Sequence, residues 1–203
     1  MSADLEVGVY GFRTYCVEEV SGTLLPMNDT LSWRDKRRYF SAWTGGKCVA
    51  ECFFHSEHRP PELGCTCGIY SFKDIRTLRE QFGQAQGVVA VVALEGRTLE
   101  GDFGWRSQAG RVVAIWAGPE VLAKPLRSRI SRRVPGLRWF DDIGEMVHTY
   151  TGTTYTEPDA PQRSQNYWYD LRKTIVMVAP SGAWPDDSEM RVAIRMLKAL
   201  FGR

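Results

Sequence analysis

Potential metal ligands are crowded into one short segment of this chain. Four of its five cysteines and two of its three histidines lie between positions 48 and 67. Within that segment the spacing C-x5-H-x6-C-x-C is formed by Cys52, His58, Cys65 and Cys67. A chain of 203 residues can bury a hydrophobic core without cross-links, so this crowding needs a chemical reason. The most economical reason is a bound zinc ion, because three cysteines and one histidine are a standard set of structural zinc ligands.

The residues around the four ligands suit a compact metal loop. Short gaps between the ligands keep the entropic cost of loop closure low. Pro60 and Pro61 restrict the backbone before metal binds, and Gly64 allows a tight turn beside Cys65. Spacing alone leaves the ligand set open, because two further residues of the same segment could each replace one of the four, namely Cys48 and His55.

Other kinds of site also use clustered cysteines. A disulfide between Cys65 and Cys67 would close a very small, strained ring, and an iron–sulfur cluster usually takes cysteine ligands alone. A catalytic zinc ion, held by three protein ligands and a water molecule, is the more serious alternative. We therefore predict a closed structural zinc site and keep a zinc-dependent enzyme with an open metal position as an alternative.

The stretch from Trp43 to Tyr70 resembles a motif shared by uncharacterised proteins of actinobacteria and their phages. The sequences of those proteins contain approximately the elements W-T-x-G, A-x-C, H-x-A-P and C-x-C-G-I-Y-A. The matching residues in this chain are Trp43-Thr44, Ala50-Glu51-Cys52, His58-Arg59-Pro60-Pro61 and Cys65-Thr66-Cys67-Gly68-Ile69-Tyr70. A later G-W-R at 104–106 also resembles that group. The chain departs from the motif at Pro60 and at Ser71, where alanine is usual. The resemblance reaches to about residue 120. It implies a zinc module with ligands Cys52, His58, Cys65 and Cys67, with Cys48 and His55 as extras, and implies no established activity.

Strand and helix patterns mix along the chain without a regular βαβ rhythm. The apolar run 88–94 is typical of a strand buried on both faces, and 112–116 is predicted to lie beside it. A helix is predicted to begin at Ser71 with Asp74 as its capping-box partner, and another to be capped by Asp141. These patterns predict an α+β fold with a mainly antiparallel sheet, a zinc-stapled loop and a C-terminal helix that begins at Asp186.

The predicted domain organisation has three parts. Residues 1–150 form an α+β domain that contains the zinc-binding loop 43–70, and the polar stretch 151–166 is an exposed loop or linker. Residues 167–203 form a strand and a helix that pack on the same domain, with the strand at 174–179.

Composition narrows the functional classes. The chain has no apolar run long enough to span a bilayer, and its first residues lack the basic start of a secretory signal. The odd number of cysteines does not suit a secreted disulfide framework. We therefore expect a cytoplasmic protein without a membrane partner. A net charge of +2 is too small to indicate a nucleic-acid partner by itself.

One segment is nevertheless strongly basic. Residues 124–138 carry six cationic side chains and no acidic one: Lys124, Arg127, Arg129, Arg132, Arg133 and Arg138. These arginines, with Trp139 beside them, could contact phosphates and stack on bases. We therefore predict a non-enzymatic binding module that contacts nucleic acid. The alternative partner is another protein, in a phage assembly or regulatory role, which the seven tryptophans and the modest net charge favour.

Overall fold

A computed structural model of the chain describes residues 8–18, 20–26, 41–52, 57–82, 87–118, 124–156 and 175–176. The helix predicted from Asp186 lies outside these residues, as does most of the predicted segment 167–203. No helix within the described ranges is long and apolar enough to cross a membrane.

Strands dominate the described part of the chain. They are β1 (Val9–Glu18), β2 (Leu24–Pro26), β3 (Lys47–Val49), β4 (Ile69–Phe72), β5 (Val88–Glu100), β6 (Gly104–Ala117), β7 (Arg138–Phe140) and β8 (Ile175–Val176). Only β7, beside β6, and β8, beside β1, pair in parallel, and the other pairings are antiparallel. The predicted α+β class with a mainly antiparallel sheet is confirmed. Strand β8 falls inside the segment predicted as a strand.

A long hairpin of β5 and β6 forms the centre of the sheet. The two apolar runs recognised in the sequence pair with each other, since Val88 lies opposite Ala117 and Val92 opposite Val112. Both strands extend beyond those runs and meet at a turn where the Gly101 N–H donates to the Gly104 carbonyl over 2.8 Å. The sequence prediction ended the strands too early, because the extension at 95–100 is polar and partly exposed.

Side chains from β5 enter two different cores. Val88, Ala90 and Val92 pack in one cluster, which lies between the sheet and a helix that contributes Leu126 and Ile130. On the opposite face, β5 contributes Val89 and Val91 to a second cluster with Ile75, Leu78, Ile143 and Met146. Burial on both faces, which the unbroken apolar run predicts, is therefore confirmed. The sheet is the middle layer between helices.

The described residues contain three α-helices, named α1 (Ile75–Gln81), α2 (Lys124–Arg133) and α3 (Ile143–Thr151). The N-cap of α1 is Asp74, whose carboxylate accepts from the Thr77 N–H at 2.8 Å. Ser71, predicted to start this helix, lies instead in β4 and is buried between strands. The prediction was wrong because pairing of Ser71 with Trp105 of β6 outweighs a local capping preference.

The other two helices differ from the predictions made from the sequence. Asp142, not Asp141, caps α3 by accepting from the Glu145 N–H at 2.6 Å. Helix α2 was treated only as a basic segment, although Leu126, Ile130 and Val134 lie four residues apart and are buried. That spacing places the three side chains on one helical face.

Strands β3 and β4 occupy successive positions along the same edge of β6. Val49 at the end of β3 lies opposite Ala109, and Ile69 at the start of β4 lies opposite Ser107. The intervening residues therefore leave β6 and return to it at nearly the same point. The segment 50–68, which contains the cysteine cluster, is therefore one excursion of the chain: a loop that leaves the edge of the sheet after β3 and returns to it at β4.

Candidate metal centre and basic surface

The structure brings four of the predicted ligands together. The ligand atoms of Cys52, His58, Cys65 and Cys67 all lie within 4.8 Å of one another. The Cys52 and Cys65 sulfurs are 3.7 Å apart, and His58 Nε2 lies 3.2 Å from the Cys67 sulfur. The described cysteines form no disulfide bond, so these short distances lie between reduced side chains. This group of side chains could hold a metal ion.

One distance between two of the ligand atoms can be compared with that in a tetrahedral zinc centre. Zinc–sulfur bonds of about 2.3 Å at tetrahedral angles place two sulfurs about 3.8 Å apart. The separation of the Cys52 and Cys65 sulfurs, 3.7 Å, is close to that value. The four residues are only half-buried, because the excursion lies at the edge of the sheet.

The turn that carries Cys65 and Cys67 depends on glycine. Gly64 has a φ of +84° and Gly68 a φ of +125°, backbone conformations that other residues rarely adopt. A side-chain carbon at Gly68 would also lie 3.2 Å from Pro61 Cβ. The Cys65 N–H donates to the Glu62 carbonyl at 3.2 Å and closes the turn. The tight backbone predicted around the paired cysteines is therefore present.

Arg106 of β6 attaches this turn to the sheet. Its Nη1 donates to the carbonyl oxygens of Cys65 and Cys67, the latter at 3.3 Å, and its Nη2 donates to the Glu62 carbonyl at 3.4 Å. The Tyr70 hydroxyl adds a 2.7 Å bond to the Thr66 carbonyl. In the sequence, Arg106 stands out only as part of the G-W-R resemblance. Its role could not be read from the chain, because Arg106 lies far from the cysteines in sequence.

The clustered thiols differ in their tendency to ionise. Hydrogen bonding from the backbone N–H of Cys67 lowers the pKa of the Cys65 thiol. Partial burial raises the pKa of the Cys67 thiol, and the nearby Cys65 and Cys52 thiols raise it further. Three adjacent thiolates repel one another, whereas a divalent cation between them would favour their charged forms. The electrostatics of the cluster therefore suit a bound cation.

Of the two alternative ligands, Cys48 and His55, only Cys48 is among the described residues. Cys48 belongs to β3, where its side chain is buried among the hydrophobic residues of the first core cluster, and it is not part of the four-residue group. Burial also raises the pKa of its thiol. As a ligand in this arrangement Cys48 is thus a weaker candidate than the four. His55 lies outside the described residues.

Helix α2 separates its apolar and basic residues. Its exposed side carries Arg127, Arg132 and Arg133, while Arg129 is half-buried. Arg127 forms a 3.0 Å ion pair with Asp141 and stacks 4.8 Å from the Trp139 ring centre. The described residues provide no ion-pair partner for Arg132 and Arg133. Lys124 begins the helix, and its side chain lies outside the description.

Arg138, the last residue of the basic segment, does not join the α2 surface. It lies in β7 and stacks over Phe140, with its guanidinium 4.4 Å from the ring centre. Phe140 belongs to the core cluster on the opposite face of the sheet from α2. Arg138 is therefore separated from the exposed arginines of α2, although it is close to them in sequence.

Comparison of the chain with protein-family models, curated proteins and solved structures found no match. The resemblance of residues 43–70 to proteins of actinobacteria and their phages stays a prediction.

Proposed function

We propose that this protein is a non-enzymatic nucleic-acid-binding module whose edge loop is stabilised by a structural zinc ion. The observation that carries the proposal is the combination of a four-ligand Cys/His cluster with an exposed arginine surface on α2. The cluster organises the loop, and the helix contacts the partner.

The ligand chemistry supports zinc in a structural role. Cysteine thiolates and histidine imidazole together favour zinc over calcium or magnesium, which prefer oxygen ligands. Cys52, His58, Cys65 and Cys67 would fill a tetrahedral coordination sphere. No position then remains for the water molecule that a catalytic zinc ion needs, which favours a binding module over the alternative zinc enzyme.

The charge distribution supports a polyanionic partner. Arg132 and Arg133 project from α2 without a neutralising carboxylate among the described residues. Leu126 and Ile130 anchor the other side of the helix in the core, so the basic surface has a fixed position. Guanidinium groups suit phosphate oxygens because they donate two parallel hydrogen bonds.

Binding of labelled DNA and RNA oligonucleotides across a salt series tests the proposal. We expect affinity to fall steeply with salt, because each neutralised phosphate releases a counterion. Arg132→Gln should weaken binding to all sequences and reduce the log–log salt slope by about 1. The matched control is Arg97→Gln, since Arg97 lies on β5 at the far end of the hairpin from β7.

Absent or salt-insensitive binding to both DNA and RNA would refute the nucleic-acid part of the proposal. Equal losses in Arg132→Gln and Arg97→Gln would show that net charge, not the α2 surface, determines affinity. Capture of a defined protein partner by the Arg132→Gln variant would instead support the protein-interaction alternative.

A further inference from the structure

Arginine and aromatic side chains alternate around strand β7. On the α2 side, Trp139 is half-buried and its indole Nε1 donates to the Ser131 hydroxyl at 2.9 Å. The Arg127 guanidinium lies over the same ring. The indole is thus fixed in orientation by Ser131, directly beside the basic surface of α2.

A second aromatic group lies on the other face of the sheet. Phe140 lies under Arg138 and contacts Tyr150, with 6.1 Å between the Phe140 and Tyr150 ring centres. Tyr150 in turn meets Tyr10 edge to face, at 5.0 Å. Tyr10 is 40% exposed, so this row of rings runs from the core to the surface and ends at an accessible ring.

Both groups include a residue of β7, which lies at an edge of the sheet. The second group continues from Phe140 through Tyr150 of α3 to Tyr10 of β1, which β5 and β6 separate from β7. Among the described residues β7 pairs only with β6, so its other side is not covered by a strand. Successive residues of a strand point to opposite faces. Trp139 therefore belongs to the α2 side and Arg138 to the side of Tyr150, and β7 joins the two cationic, aromatic surfaces.

We infer that the partner is a single-stranded nucleic acid that passes across the β7 edge. Arg132 and Arg133 contact phosphates on one side and Arg138 on the other. One base stacks on the Arg127 guanidinium that covers Trp139, and another, farther along the strand, stacks on Tyr10. This inference rests on the proposed nucleic-acid function and specifies its substrate class.

Duplex stiffness and base accessibility exclude double-stranded partners from this path. A duplex has a persistence length of about 50 nm, so it cannot follow both faces of a sheet edge without a large deformation cost. Its bases are already stacked on one another, whereas a single strand offers free base faces to aromatic side chains and bends readily.

Fluorescence anisotropy with single-stranded and duplex oligonucleotides of the same sequence and length tests this inference. We expect the single strand to bind at least about tenfold more tightly. Tyr10→Ala should weaken single-strand binding by about 5- to 100-fold, and Tyr10→Phe should retain it, because stacking requires the ring. The matched control is Phe103→Ala, an exposed ring at the hairpin turn, which should bind as wild type.

The possible results distinguish failure of the single-strand inference from failure of the proposed nucleic-acid function. Equal or tighter duplex binding, or unchanged single-strand binding by Tyr10→Ala while Arg132→Gln is impaired, would overturn the inference and leave nucleic-acid binding in place. Failure of wild-type protein to bind either oligonucleotide would overturn both. Thermal unfolding of each variant, compared with wild type, distinguishes lost contacts from lost folding.

Discussion

The centre of the sheet and the metal loop (residues 50–68) are stabilised in contrasting ways. Strand β5 buries every side chain from Val88 to Leu94. In the loop, Leu63 is 71% exposed, and the turn is ordered by hydrogen bonds to its carbonyls and by four clustered side chains. Apolar burial therefore maintains the sheet, whereas polar contacts and, in our proposal, a coordinated metal ion maintain the loop. The sheet and the loop should therefore respond differently to the same perturbation.

Metal removal should produce the largest difference between the two regions. Structural zinc contributes an apparent binding free energy of about 10–16 kcal/mol in small modules. Chelation, or Cys65→Ser, should therefore expose the amides of 57–68 to hydrogen exchange while those of 88–94 stay protected. Hydrogen exchange followed by mass spectrometry measures both segments in one sample.

Cys48→Ala is the matched control for that experiment, because Cys48 lies outside the four-residue group. It should keep one metal ion per chain. Unchanged exchange in 57–68 after complete metal removal would contradict the assignment of loop order to the metal.

A pair of leucine substitutions separates burial from loop order. Leu78→Ala should lower the free energy of unfolding by about 2–5 kcal/mol, because Leu78 is 1% exposed in the core. Leu63→Ala should change it by less than about 0.5 kcal/mol, since exposed side chains lose little contact. Urea unfolding measures both values. A comparable cost for the two substitutions would show that the loop also depends on apolar packing.

Arg106 connects the two regions, so its removal should weaken metal binding without removing a ligand. Groups that orient metal ligands typically contribute about 10- to 100-fold in affinity. We expect a loss of that size in Arg106→Met, which keeps an aliphatic chain but loses three donated hydrogen bonds. Competition with a chelator of known affinity measures the change.

Arg97→Gln serves as the comparison for Arg106→Met. It removes only an exposed ion pair, Arg97 with Glu62 at 3.0 Å, and exposed pairs contribute little. Equal metal affinities in the two variants would show that Arg106 does not position the metal ligands.

The smallest predicted effect is confined to the core and to alkaline pH. Burial raises the pKa of the Tyr15 hydroxyl above its ordinary value of about 10. The stability that depends on its proton is complete below that pH and is lost as pH rises, because the unfolded state ionises first. Wild type should therefore lose about 1 kcal/mol more than Tyr15→Phe by pH 11. Parallel pH profiles of unfolding would contradict this.

Sequence patterns identified the residues whose role depends on local chemistry. The run Val88–Leu94 indicated a doubly buried strand, and the cluster spacing indicated Cys52, His58, Cys65 and Cys67 as a group. In both cases the signal lies within a few neighbouring residues. A continuous apolar run needs burial on both faces, and clustered thiols with a nearby imidazole suit one metal ion.

The missed features depend on residues that are distant in sequence. Ser71 became a strand residue because β6 pairs with it, and Cys48 entered the core because β3 directs it there. Arg106 reaches the metal loop only through the pairing of β4 with β6. Tyr10 of β1 meets Tyr150 of α3. None of these contacts has a local pattern, so only the tertiary arrangement could reveal them.

X-ray absorption spectroscopy of the protein, with metal content determined on the same sample, tests the central claim most directly. We predict one zinc ion per chain, with three sulfur ligands at about 2.3 Å and one nitrogen at about 2.0–2.1 Å. In Cys48→Ala the same coordination sphere should remain. A metal-free protein with all thiols reduced, or a zinc ion with an oxygen ligand from water, would contradict the closed Cys52–His58–Cys65–Cys67 centre.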